Sequence, residues 1–152
     1  MRRSRSTSSA LAAVAVAAAG WLGWLGWGHG GDAPLPWRDV TGRTLGEPGR
    51  SQLRSFEDAG SLRAALGASA TAPPIDFGRR EAVLISAGPR SSTAYALDIV
   101  RVTEERRQII VTIRERTPTL AAPGAARLGF PFRLITIDQT GKPIELDWKG
   151  RP

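Results

Sequence analysis

The chain has no cysteine, one histidine, one tyrosine and one methionine among 152 residues. Without cysteine there is no disulfide, no thiolate metal site, no cysteine nucleophile and no lipid-attachment cysteine. The single histidine, His29, lies in a glycine-rich stretch beside an N-terminal apolar run. A catalytic triad or a histidine metal site needs partners that this chain lacks, so His29 reads as a spacer. Glu104 and Glu105 are an adjacent carboxylate pair at a hairpin tip, and neighbours on a strand point to opposite faces. Glycine-rich phosphate loops and calcium-loop spacing are both missing. The expectation is a protein that is not an enzyme, with no catalytic residue, metal site or cofactor and no evident small-molecule substrate.

Lysine is scarce too. Lys142 and Lys149 are the only two, so the basic residues are almost all arginine. The net charge is +7; setting aside Arg2, Arg3 and Arg5 leaves 18 basic against 14 acidic residues, or +4. Arg79-Arg80, Arg106-Arg107 and Arg114/Arg116 come without aromatic interleaving or a reading helix. They are expected on solvated strand edges and turns, with no nucleic-acid partner.

One long apolar run is present. "MRRSRSTSS" followed by "ALAAVAVAAAGWLGWLGW" makes residues 1–27 a targeting segment, with basic residues ahead of a stretch just able to span a bilayer. Trp21, Trp24 and Trp27 suit the outer headgroup region. An uncleaved anchor is the favoured reading, holding an extracytoplasmic domain to the cytoplasmic membrane. The alternative is secretion after cleavage near Ala19, where "AAA" has the small-x-small pattern. Residues 28–36, "GHGGDAPLP", have the composition of a tether, and folding is expected to begin near Trp37.

Residues 37–152 read as a single α+β domain, mainly β. "PWRDVTG" and "RSQLRSF" are short strands. "SFEDAGSLRAALG" is a short helix with Ser55 as its N-cap, Asp58 completing a capping box, Ala59, Leu62 and Leu66 on one face, and Gly67 as the stop. "EAVLIS" is a continuous apolar run that suits a central strand covered on both faces. In "AYALDIVRV", Tyr95, Leu97 and Ile99 alternate and the register then slips to Val102, the mark of a bulge. "RQIIVTIRE" puts Ile109, Val111 and Ile113 toward the core with Thr112, Arg114 and Arg116 opposite, and "EERRQ" before it is a charged hairpin turn. "FRLITID" and "IELDW" complete an antiparallel sheet or β-sandwich of six or seven short strands.

Two connections stand out. "GPRSST", ahead of Tyr95, is longer than a hairpin needs. Between "RERTP" and "FRLITI" lie about fifteen residues rich in Pro, Gly and Ala. One reading makes the latter a crossover whose Leu120, Leu128 and Phe130 cover the sheet. The other brings both connections to one end as a partner-binding edge made of Pro89, Arg90, Ser91, Ser92, Thr93, Tyr95, Phe130, Pro131 and Phe132.

The order of these segments resembles the C-terminal domain of the protease-complex subunit family PrcB. Asp76-Phe77, Gly88, Pro89, Tyr95, Thr117-Pro118 and Pro131-Phe132 fall in that family's order over residues 76–137, with Thr93 and Ala94 where the family has a glycine pair. The resemblance implies a protein partner, an exported protease, served by an accessory subunit. "PRSSTAYAL" is also similar to the inhibitory loop of chagasin-type cysteine-protease inhibitors, which implies a wedge at residues 89–93. A third reading is a cell-envelope structural protein without a specific partner.

Overall fold

A computed structural model describes residues 33–150 apart from 45, 47 and 68. The targeting segment at 1–27 and residues 28–32 of the expected tether lie outside the described residues. Among those described, no helix is long and apolar enough to cross a membrane.

The elements are β1 (Ala33–Pro34), β2 (Trp37–Asp39), β3 (Ser51–Phe56), α1 (Ala59–Leu66), β4 (Arg80–Ala87), β5 (Ala96–Glu104), β6 (Ile109–Arg116), β7 (Phe132–Asp138) and β8 (Ile144–Lys149). They form two four-stranded sheets, β1-β5-β6-β8 and β2-β7-β4-β3. The fold is mainly β with one short helix, and the two sheets face each other across a shared core.

Alternation decides which side chains enter that core. Val83, Ile85 and Ala87 of β4, Ile135 and Ile137 of β7, and Ile109, Val111 and Ile113 of β6 all point between the sheets. The opposite face of β4 carries Ala82 and Leu84, covered with Leu134 and Phe56 by Leu62 and Leu66 of α1. That double coverage explains the unbroken apolar run. Each fully buried Leu or Ile contributes roughly 1.5–3 kcal/mol relative to exposure. The outer face of the first sheet has no such cover among the described residues and carries polar contacts: Thr112 donates to Asp147 at 3.2 Å, and Arg101 donates to Thr112 at 3.4 Å.

The expected bulge is present. Ile99 pairs with Ile113, Arg101 pairs with Thr112, and Val100 is left out of the ladder and 49% exposed. The charged hairpin is closed by a Glu105 N–H donating to the Gln108 carbonyl at 2.8 Å.

Three expectations are corrected. The helix N-cap is Asp58, not Ser55: Ser55 lies in β3 opposite Val83, so the first turn cannot begin before the strand ends. Asp58 accepts from the Ser61 N–H at 2.8 Å and the Ser61 hydroxyl at 2.6 Å. These bonds, the hydroxyl's first, hold its carboxyl below the usual range. Ala59 is exposed, and only Leu62 and Leu66 are buried.

Folding also starts earlier than Trp37. Ala33 and Pro34 pair with Glu104 and Thr103, and Leu35 donates to the Val102 carbonyl at 2.9 Å and is buried in the core. Pro34 is tolerated because a two-residue edge strand does not need its missing N–H.

Finally, β8 runs parallel to β6 rather than antiparallel to a neighbour. The cause is the crossing of β7 into the other sheet. β7 ends at the end of the sandwich where β6 begins, so the turn at 139–143 starts β8 alongside the start of β6.

Candidate functional site: two loops clamped at one end of the sandwich

The connections 88–95 and 117–131 leave the sheets at the same end, where β4 and β6 stop and β5 and β7 start. The first begins with Gly88 at φ +78°, where a Cβ would sit 2.9 Å from the backbone nitrogen of Ser51. Only glycine fits that turn. Pro89 and Ser91 are exposed.

Arg90 turns inward. Its Nε and Nη2 donate to the two carboxylate oxygens of Glu115 at 2.5 and 3.2 Å, while Nη1 donates to the Ala87 carbonyl at 2.9 Å. The Glu115 side chain is 1% exposed. Hydrogen bonding to this carboxylate, opposed by desolvation, raises the Arg90 pKa, so the guanidinium stays charged. Such a bidentate pair fixes geometry as well as charge.

Five hydrogen bonds join the two loops. Arg90 and Gly129 exchange N–H···O bonds at 2.8 and 2.9 Å. Thr93 N–H donates to the Ala125 carbonyl at 3.1 Å, and the Thr93 hydroxyl accepts from the Ala125 N–H at 2.9 Å. The Ser92 hydroxyl donates to the Pro123 carbonyl at 2.5 Å. The approach is close enough to demand glycine at 124, where φ is +67° and a Cβ would lie 2.6 Å from the Ala94 nitrogen.

Beyond the clamp, Thr119 and Ala122 close a tight turn with N–H···O bonds at 3.3 and 3.0 Å. Every residue from 119 to 128 is exposed. Leu120, at the tip of the turn, is fully exposed at 104%, and Leu128 is 67% exposed. The crossover reading, in which Leu120, Leu128 and Phe130 cover the sheet, is therefore overturned for the two leucines, which hydrogen bonds to the first loop leave in solvent, while Phe130 is half-buried.

Of the residues expected at a partner-binding edge, Pro89, Ser91 and Thr93 reach the surface. Arg90, Tyr95, Phe130 and Pro131 are half-buried, and Ser92 is buried beneath the second loop. Phe132 is half-buried and joins the cluster under α1. The sequence points to Glu115 only indirectly, and it gives Leu120 and Leu128 the opposite role. Glu115 follows Ile109, Val111 and Ile113 in strict alternation, so its position alone marks it as core-facing, and a carboxylate there needs a partner. Leu120 and Leu128 carry no periodic signal at all.

Beside the loops, Arg116, Asp98, Arg133 and Asp39 form a chain of ion pairs at 2.7, 3.5 and 3.8 Å. The Ser92 hydroxyl faces a carbonyl rather than a base, so no nucleophile is prepared here. Among the described residues no cluster of His, Asp and Glu suits a metal ion. No protein-family model, no curated protein and no solved structure matches this chain.

Proposed function

We propose that this protein is a non-enzymatic binding module, held outside the cytoplasmic membrane by its N-terminal segment, whose partner is a protein that docks on the 117–128 loop. The observation that carries this reading is the pair Leu120 and Leu128, exposed on a loop that hydrogen bonds hold in one shape. Exposed apolar side chains on a fixed frame favour association, because little conformational entropy remains to be lost. The first described residue, Ala33, pairs with Glu104 at the far end of β5. β5 has nine residues. At about 3.3 Å per residue it spans roughly 30 Å. A membrane anchor ahead of Ala33 thus presents the loops away from the bilayer. The PrcB-like order of segments supplies the class of partner, an exported protease, with this chain as accessory subunit.

A second reading, protease inhibition, is favoured by one feature. Leu120 sits at the apex of a four-residue turn that projects from the clamp, whereas in the 89–93 segment expected as a wedge Arg90 is half-buried and Ser92 is buried.

Affinity capture by the full chain from its native envelope fraction tests the proposal, with protease activity assayed on the same eluate. A protease retained by the wild type and lost by Leu120→Ser/Leu128→Ser supports it. Full activity in the eluate marks a subunit and suppressed activity an inhibitor. Equal retention by both chains removes the loop from the account, and no specific retention leaves a structural envelope protein.

A further inference from the structure

A groove of about 480 Å³ lies on the outer face of the second sheet, at residues belonging to neither loop. Arg38 from β2, Arg43 from the adjoining 3-10 turn, Arg79 from the turn ahead of β4 and Arg80 from the start of β4 converge on it, against only Asp76 and Asp138. Arg80 is committed: it donates to the Thr136 hydroxyl at 3.1 Å and pairs with Asp138 at 3.2 Å. One oxygen of Asp76 accepts the Gly78 N–H at 3.1 Å within its own turn. No hydrogen bond or ion pair to another described residue engages the guanidinium of Arg38, Arg43 or Arg79.

Like charges gathered from separate segments repel, and an anion seated among them relieves the repulsion. Guanidinium forks match phosphate oxygens and hold them by two donors at a time. The groove also has an apolar floor in Val40 and Ile75, and its two carboxylates have oxygen lone pairs left to accept hydroxyl protons. Cationic, apolar and acceptor groups together fit a small phosphorylated polyol better than a bare anion. We infer that this groove binds a phosphate ester of a polyol, with phosphate held among Arg38, Arg43 and Arg79 and hydroxyls donating to Asp76 and Asp138. The ligand is either soluble or the glycerophosphate head of a lipid. The groove reaches the end of the sandwich at which Ala33 pairs with Glu104, since Arg80 pairs with Asp138 there.

The test is calorimetric titration of glycerol 3-phosphate into the full chain held in zwitterionic nanodiscs. Saturable binding is expected, with no response to glycerol and a loss of about tenfold or more in affinity in Arg38→Gln/Arg79→Gln. Both arginines are exposed, so an unchanged thermal transition verifies that the variant is folded. Discs containing phosphatidylglycerol distinguish the sources: suppressed titration assigns a lipid head, and unchanged titration a soluble ligand. Absence of saturable binding, or equal affinity in the folded variant, overturns the site. Inorganic phosphate binding as tightly as the ester overturns the polyol assignment.

Discussion

The two loops that meet at one end of the sandwich are built on opposite plans. Residues 88–95 are polar yet turn inward in part, with Ser92 buried and Arg90 locked onto a carboxylate that is almost wholly hidden. Residues 117–128 are mostly Pro, Gly, Ala and Leu, yet they stand in solvent. The polar loop is the support, and the apolar loop is what it displays. Polarity identifies groups that can be satisfied by hydrogen bonds, and inside a fold those bonds are as readily made to another loop as to a partner.

Substitutions separate the two roles. The largest effect is expected from Arg90→Ala, which strands the buried Glu115 carboxylate and costs about 3 kcal/mol in denaturant unfolding. Gly124→Val comes next, at about 2 kcal/mol, because a β-branched residue is strained at that φ and its Cβ meets the Ala94 backbone. Ser92→Ala removes one inter-loop hydrogen bond and is expected to cost about 1 kcal/mol. All three act on the clamp between the loops and weaken partner capture through it.

A control sits at the other end. Glu81 is 5% exposed, and its Oε1 finds no hydrogen-bond partner among the described residues. Burial, opposed by a hydrogen bond from the Thr140 backbone and reinforced by the charge of Glu57, pushes its pKa above 4.5. The ionised form is therefore the disfavoured one in the fold. Its destabilising contribution is full above the raised folded pKa and fades as pH falls through it toward the ordinary value. Glu81→Gln is expected to stabilise by about 0.5–1 kcal/mol at neutral pH, to lose that advantage on acidification, and to leave capture unaltered. The smallest effect on stability belongs to Leu120→Ser/Leu128→Ser, within about 0.5 kcal/mol, since neither side chain is packed. Its effect on capture is expected to be the greatest of all.

Much of the fold is legible because alternation is a local property. The apolar run of β4, the slip at Val100 and the inward set of β6 follow from side chains taken two at a time. The parallel pairing of β8 with β6 is not local: it depends on which sheet β7 joins. β1 hides in a stretch with a linker's composition, and Leu35 shows its role only once β5 is beside it. The loop pair is harder still. Three of its five joining bonds are backbone to backbone, which no residue type announces. Gly124 and Gly129, which permit the approach, look like any other loop glycines. Glu115 was the one available signal, a charge in a core register that required a partner such as Arg90.

Photo-crosslinking in native membranes tests the display role most directly. A benzophenone side chain is placed at position 120 in one full chain and at position 106, on the exposed hairpin at the opposite end, in another. An adduct to a single protein from position 120, and none from position 106, is the expected result. No adduct at 120, or the same adducts from both ends, would show that the apolar loop is not the docking surface.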